Sequence, residues 1–358
     1  MASYVRSISA ASTAATAIVL LRGASGKPAA ILPFERVRRG GIVTLRTIGG
    51  KHASFHLPLT TPEGCETIIA DPLSLLRAAA TAAGNADLIV LSKQPARWEG
   101  EPNPFARLGT ILKASAAYQT VLPREAEAFI IERNSADARK KLRKKRQALA
   151  KLGPVAAMRP STPEDVERTL LAFFDQKRRR FAVQGVANPF TDAPTQAFLR
   201  SACMSVDGEP PAIELQALSC GERIVAVFGL ATGFSRASGM FTSFEDEPAI
   251  ARCSPGDILL HDMIRDLIAR GFARFDLGVG EARYKNAFCH DEVPLVDAYV
   301  PLTAYGWIAA AAVETVALTK AVVKRDPRLL NAAKQLSVAL RRFGRPLIRH
   351  APDPRDRP

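Results

Sequence analysis

The sequence predicts an α/β protein of mixed sheets flanked by helices, and three observations carry that expectation. Apolar runs of strand length alternate with stretches of helical periodicity along most of the 358 residues. In the second half, three strand-like segments in succession (residues 213–218, 224–230 and 239–244) precede a helix and a further strand. An antiparallel set there meets a parallel crossover, so one sheet is expected to splay where the two join. Just after the third segment lies Ala251-Arg252-Cys253-Ser254-Pro255-Gly256-Asp257, a turn-forming stretch that opens straight onto a helix.

Composition narrows the class. Hydrophobic residues make up 47% and charged ones 23% of the chain, which excludes a disordered polymer and allows two ordinary domains. The formal charge of +14, from 49 Lys and Arg against 35 Asp and Glu, points to anionic partners. Nucleic acid, an anionic membrane surface and phosphate-bearing cosubstrates all qualify. Five scattered cysteines without a CxxC pair exclude a disulfide scaffold or zinc knuckle, and no metal site is expected. No apolar run before Gly23 is long enough for an export signal. Residues 307–323 are interrupted by Glu314 and Lys320 and fall short of the ~20 residues a spanning helix needs. The expected location is cytoplasmic, at most peripheral to the inner membrane.

Taken in order, residues 18–21, 29–34 and 41–45 are expected as strands, with a Gly/Ser/Lys turn between the first two. His52 and His56 lack a nearby carboxylate and are read as incidental. A helix over 67–83, a buried strand over 87–91, a short helix over 104–113 and a strand over 117–122 complete this half. A helix follows over 135–153, with Ser135 as N-cap and Gly153 as C-cap, and it is nearly all Lys or Arg outside Leu142, Leu149 and Leu152. A solvated basic face is the ordinary outcome for such a helix. A nucleic-acid surface or a face aimed at an anionic substrate or membrane is the sharper one.

A strand near 155–159 leads to a helix with Thr162 as N-cap, Pro163 at its first position and Val166, Leu170, Phe173 and Phe174 on its buried side. A loop is expected over 181–189, a helix over 193–206, and then the hairpin across Gly221-Glu222. After the third strand, Ser254 is placed as N-cap, Pro255 at the first helical position, and Gly256 where a ligand approaches the backbone. Leu260, Met263, Ile264, Leu267 and Ile268 form the buried stripe, with Gly271 as C-cap. Open amides at the positive end of such a helix suit phosphate. A strand through Leu277 and a last strand over 295–300 close the order, and the loop falls where ligands gather in such sheets.

Several motifs in this order resemble the GNAT acyltransferase fold. They are Leu142-Arg143-Lys144-Lys145 through Leu152-Gly153, Phe173-Phe174-Asp175-Gln176-Lys177-Arg178-Arg179, Ser254-Pro255-Gly256 with Leu259-Leu260, and Phe275-Asp276-Leu277 with Gly280 and Tyr284-Lys285. The ordered set is similar to the cellulose-biosynthesis (CelD/BcsL-type) branch, which shares a two-halved plan with the Fem-type aminoacyltransferases. The resemblance covers residues 18–303 and is strongest over 135–290. Three departures stand out. Ser254-Pro255-Gly256 replaces the usual Gln/Arg-x-x-Gly-x-Gly/Ala loop, Ala282 sits where an acidic residue is common (Glu281 is one earlier), and Phe288 stands for a common Trp.

The resemblance implies a tandem fold, with a degenerate GNAT-like half over 1–134, an acetyltransferase domain over 135–305 and a helical basic tail over 306–358. It implies direct acyl transfer from an acyl-CoA such as acetyl-CoA to an amine or hydroxyl of a small-molecule or glycan acceptor, in exopolysaccharide or cell-envelope synthesis. Ser254, Pro255, Gly256, Asp257 and Ile258 would serve the pyrophosphate, and the strand edge ending at Phe244 the pantetheine arm. Tyr284 is the candidate acid for the departing thiolate. Glu245, Asp246 or Glu247 is the candidate base, against the simpler reading of a solvated acidic turn. Lys285 would touch phosphate or substrate, or pair with Asp276. His261 follows the loop but is given no role, and Cys253 lacks a His partner and is not expected as a nucleophile. From Asp326 onward an apolar helix face admits docking on the domain or contact with an anionic membrane. Two alternatives stay open: a Fem-like enzyme taking aminoacyl-tRNA on the basic helix, and an inactive GNAT-like binding module. Nucleic acid is otherwise not an expected partner.

Overall fold

The computed structural model describes residues 14–49, 53–109, 116–206, 208–233, 235–279, 288–289 and 291–325. Strands β1 (Ala15–Arg22), β2 (Pro28–Arg39) and β3 (Ile42–Thr47) form an antiparallel meander, with the short β4 (Leu59–Thr60) against β2. Two helices follow, α1 (Pro62–Ala70) and α2 (Pro72–Ala82), where periodicity alone predicts one. Pro72 breaks the run because it has no N–H to continue the ladder, and Asp71 caps the second helix by accepting from the Ser74 amide at 3.0 Å. Strand β5 (Leu88–Pro95) lies parallel to β3, and a small hairpin, β6 (Arg97–Trp98) with β7 (Glu101–Pro102), follows it. Within the helix expected over 104–113 the described residues hold only a 3-10 turn at Ala106–Leu108.

The chain then runs through β8 (Ala117–Val121), α3 (Ala126–Arg133), α4 (Ala136–Ala150), β9 (Val155–Met158), α5 (Pro163–Gln184) and α6 (Ala193–Cys203). The hairpin β10 (Glu214–Cys220) and β11 (Arg223–Gly233) leads to β12 (Arg236–Phe244), the short α7 (Pro248–Ala251) and α8 (Pro255–Ala269). Strands β13 (Arg274–Val279), β14 (Asp291–Val293) and β15 (Leu295–Pro301) and helix α9 (Ala304–Arg325) complete the described order. Helix α4 ends at Lys151 rather than Gly153. Helix α5 runs four residues into the expected loop and stops at Gly185, which takes the left-handed conformation at φ 64°.

Two sheets result. One has the order β1-β2-β3-β5-β15 with β4 beside β2, the other β14-β8-β13-β12-β11-β10-β9. Two strands cross the division expected from chain order. Strand β8 joins the second sheet, and β15, expected at the end of the second half, pairs antiparallel with β5 in the first. Hydrophobic pattern locates a strand but names no partner; here the Lys93 amide donating to Asp297 Oδ1 at 2.6 Å helps fix the pairing.

The second sheet is covered on both faces. Ile258, Leu259, Met263, Ile264 and Leu267 of α8 pack with Phe228, Phe275 and Leu277 on one side. Phe173 and Leu170 of α5 and Leu199 of α6 pack with Leu215, Val227 and Phe241 on the other. Each such large side chain contributes roughly 1.5–3 kcal/mol by leaving water. The chain divides at Ala310 into two units, and the site described below lies within the first. No helix among the described residues is long and apolar enough to cross a membrane. The tail from Asp326 lies outside the described residues.

Candidate active site

The splay expected from the element order is present between β12 and β13. Their parallel pairing covers only Arg236–Arg274, Ala237–Phe275 and Ser238–Asp276, while β12 runs on to Phe244. Beyond Ser238 the edge of β12 has no ladder partner on that side among the described residues. The other edge bulges: Leu230 faces Gly239 and Gly229 faces Phe241, so Met240 is the extra residue. Gly229 permits this arrangement, because a Cβ there would sit 2.4 Å from the Phe241 ring. On β13, Gly278 takes φ 67°, and a Cβ would press within 2.5 Å of Ser54 Oγ. A cleft between two diverging strands therefore opens toward the C-terminal end of β12.

That end carries the Ser-Pro-Gly loop. Helices α1, α2, α4, α5 and α6 are each closed by a side chain (Thr61, Asp71, Ser135, Thr162 and Asp192) that accepts a first-turn amide. Helix α8 is not, a property it shares with α3 and the short α7. Ser254 is left-handed, at φ 49° and ψ 60°, and makes no side-chain cap. Its Oγ instead accepts from Lys145 Nζ of α4 at 2.6 Å. The Asp257 and Ile258 amides return to the Ser254 carbonyl at 3.0 and 3.2 Å, which among the described residues leaves Gly256 N–H as the open donor at the positive end of the dipole. Pro255 and Ile258 are buried and position the turn, whereas Asp257 is exposed.

Two cations flank this end. The Arg180 guanidinium of α5 stacks 4.6 Å over the Phe244 ring, and a Cβ on Gly256 would meet that ring at 3.4 Å. Lys145 stands on the other side through Ser254. Among the described residues neither Lys145 nor Arg180 has a carboxylate within ion-pair distance. Their neighbours do: Arg146 holds Asp262 with two bonds of 2.9 and 2.6 Å, and Arg179 holds Asp175 and Glu245. The basic helix is thus not a uniformly solvated face. Lys145 and Arg146 turn inward to α8, while Lys140, Lys141, Arg143 and Lys144 stay exposed. Lys145 and Arg180 have no distinctive signal in a run of basic residues; only the fold separates them.

The acidic run after β12 is ordered rather than a solvated turn. Glu245 has a side chain only 2% exposed, and its oxygens accept from Arg179 (2.9 Å), Arg223 (2.8 Å) and the Asp246 amide (3.0 Å). Burial pushes this carboxyl up, but Arg179, the Glu247 amide and Arg223 together outweigh it and hold it below its ordinary value. Its lone pairs are committed to anchoring the β12–α7 turn. Asp246 lies 3.5 Å from Arg179, and Glu247, about half exposed, pairs with Arg223. His261 is buried on the apolar side of α8, edge-on to Phe288 at 4.8 Å, and burial drops its pKa to about 4. Cys253 is buried, with Sγ 3.6 Å from the Ala249 carbonyl. His56 is buried, with its ring nitrogens 2.8 and 3.0 Å from the Ser92 and Ile48 carbonyls. Tyr284, Lys285, Gly280, Glu281, Ala282 and His52 lie outside the described residues.

Asp276 marks the closed end of the cleft. It is fully buried, accepts from Ser238 Oγ and faces Arg236 Nη1 at 3.5 Å. Arg236 in turn stacks 4.2 Å over Trp98 and bonds Glu99 and Gln119 at 3.1 and 3.2 Å. Burial pushes the Asp276 carboxyl up, against the bonds from Ser238 and Arg236. This network ties the β6–β7 hairpin to the point where β12 and β13 part.

A splayed parallel pair leading into an uncapped helix is the arrangement of a GNAT-like domain, and residues 136–286 match the family model described as acetyltransferase (GNAT) domain. A search of curated protein sequences finds no match to the chain. Among solved structures, the C-terminal domain of a putative lysylphosphatidylglycerol synthetase from Agrobacterium fabrum is similar at 16% identity and TM-score 0.53, covering 89% of this chain and 90% of that one. FemX is similar at 10% identity and TM-score 0.59, over 84% and 91%. L-PGS from Bacillus licheniformis is similar at 12% identity and TM-score 0.52, over 85% and 89%. At these identities the likeness is one of fold.

Proposed function

We propose that the chain is an acyltransferase that takes an acyl-CoA thioester, such as acetyl-CoA, and passes the acyl group directly to an amine or hydroxyl of a small-molecule or glycan acceptor. One observation carries the reading: the open end of α8, with the Gly256 amide and the unpaired cations Lys145 and Arg180, lies beside the cleft between β12 and β13. A pyrophosphate fits that combination of backbone donor, helix dipole and two cations. An extended pantetheine arm fits the free edge of β12 up to Phe244, which would place the thioester near the Met240 bulge. Within this proposal Gly256 faces the phosphates through its amide and Ser254 through the Lys145 it holds, Pro255, Asp257 and Ile258 shape the turn, and Lys285 adds a further cation. Tyr284 protonates the departing thiolate. Glu245 anchors the turn, and Glu247, less committed, is the remaining carboxylate for the base.

The division into a degenerate half over 1–134, a catalytic domain over 135–305 and a basic tail over 306–358 belongs to the same proposal. So does a place in exopolysaccharide or cellulose synthesis at the inner face of an anionic membrane, which rests on the resemblance alone. A second reading has its own support: the exposed cations Lys140, Lys141, Arg143 and Lys144 on α4 form a surface suited to an aminoacyl-tRNA donor. Calorimetric titration of the full chain with acetyl-CoA and with mixed aminoacyl-tRNA separates the two. Saturable acetyl-CoA binding supports the first reading. No heat at millimolar acetyl-CoA, with steeply salt-dependent tRNA binding, replaces it with the second.

A further inference from the structure

One turn before Arg180, helix α5 carries a lysine that the site above does not use. Lys177 Nζ lies 5.8, 5.6 and 5.7 Å from the ring centres of Phe173, Phe181 and Phe190. Phe173 meets Phe190 edge-on at 4.9 Å and Phe241 at 4.5 Å, so one wall of this cage is shared with the residue just past the β12 bulge. Among the described residues the amine has neither a hydrogen-bond acceptor nor a carboxylate within ion-pair distance, although Arg178 and Arg179 on the same turn both hold Asp175. The rings attract an ammonium but accept no conventional hydrogen bond from it, so they replace its hydration only in part. Burial first, and the charge of Arg180 second, lower its pKa from 10.5 to about 8. A half-buried amine, partly neutral near physiological pH, thus sits over Phe173, the ring that packs on Phe241 of the strand proposed to carry the thioester.

We propose that Lys177 is a self-acylation site, modified by the acyl-CoA held in the adjoining cleft. The neutral amine adds to the thioester carbonyl carbon, the C–N bond forms as the C–S bond breaks, and the CoA thiolate leaves with the proton that nitrogen sheds. The products are an acyl-lysine amide and CoA thiol, and no other reactant is needed. The modification removes one positive charge beside Arg180 and sets the acyl group among the phenylalanines. This inference rests on the acyl-CoA reading.

The test incubates the full chain with deuterated acetyl-CoA at pH 8 and follows each lysine by mass spectrometry, with CoA binding measured in parallel by calorimetry. At that pH about half of the Lys177 amine is neutral, against well under about 1% for an ordinary lysine, so labelling roughly tenfold faster than at exposed Lys144 and Lys151 is expected. Excess desulfo-CoA should suppress labelling at Lys177 and spare the other two. Lys177→Arg should remove the fast site in a protein of unchanged circular dichroism. Labelling at equal rates in a chain that binds CoA overturns the inference and leaves the acyl-CoA reading standing. Fast labelling that desulfo-CoA fails to suppress overturns delivery from the cleft, and absence of CoA binding removes the reading and the inference together.

Discussion

Helices α1 and α8 both begin with a proline after a hydroxyl residue, and they put that hydroxyl to opposite uses. Thr61 stays extended and closes α1 by accepting the Gly64 amide at 3.1 Å. Ser254 turns left-handed, leaves α8 uncapped and gives its hydroxyl to Lys145. The first arrangement is ordinary helix stabilisation, worth about 1 kcal/mol. The second gives up that contribution, leaves the Gly256 donor open and brings a cation to it. The contrast teaches that the proposed anion site rests on a missing cap together with the cation that takes up its hydroxyl, rather than on the Ser-Pro-Gly residues alone.

The largest expected effect breaks the charged surroundings of α8. Lys145→Ala combined with Arg180→Ala should weaken CoA binding about a hundredfold by calorimetry, since each charged hydrogen bond contributes about 1.5–3 kcal/mol and the two are partly redundant. Folding stability should change little, because among the described residues neither side chain has a carboxylate partner to strand.

The underside of α8 supplies the next contrast. Helix α1 buries only Gly64 and Ile68, whereas α8 buries His261. His261 stays neutral in the fold down to about pH 4, while the unfolded chain takes up the proton near 6.5. The unfolded state therefore binds more protons below pH 6.5, and the stability present above that pH is lost as pH falls toward 4. At pH 5 the loss should approach about 2 kcal/mol by urea denaturation, and His261→Met should flatten that part of the profile.

Two smaller substitutions exchange the helix ends. Ser254→Asp supplies α8 with a carboxylate that pairs with Lys145, and it should weaken CoA binding about tenfold without loss of stability. Thr61→Ala should cost about 1 kcal/mol of stability and leave CoA affinity unchanged. An equal effect of the two on CoA affinity would erase the distinction between the helices.

How far the sequence reaches follows from the same residues. The mixed α/β class, the hairpin across Gly221, the splay and the extent of α8 are local or follow from element order, and periodicity with caps reveals them. The partnering of β8 and β15 is not legible, because alternating apolar residues do not say which sheet edge they meet. The break at Pro72 was visible as a proline inside a periodic run, and the left-handed stop at Gly185 as a glycine at its end. In the site, Ser254 and Gly256 are marked by turn chemistry. Lys145 and Arg180 are hidden among equivalent basic neighbours, and only the packing of α4 on α8 and of α5 on β12 leaves those two, among the described residues, without carboxylate partners. Glu245 appears in sequence as one of three surface acids, and its burial between two arginines depends on contacts 66 and 22 positions away.

The central claim is that the open end of α8, with Lys145 and Arg180, holds the phosphates of an acyl-CoA. Its most direct test compares CoA and pantetheine, which lacks the phosphates, in calorimetric titrations of the full chain and of the Lys145→Ala, Arg180→Ala double variant. CoA should bind the full chain far more tightly than pantetheine, and the double variant should lose most of this difference. Equal affinity of the two ligands for the full chain, or a double variant that binds CoA as well as the parent, would contradict it.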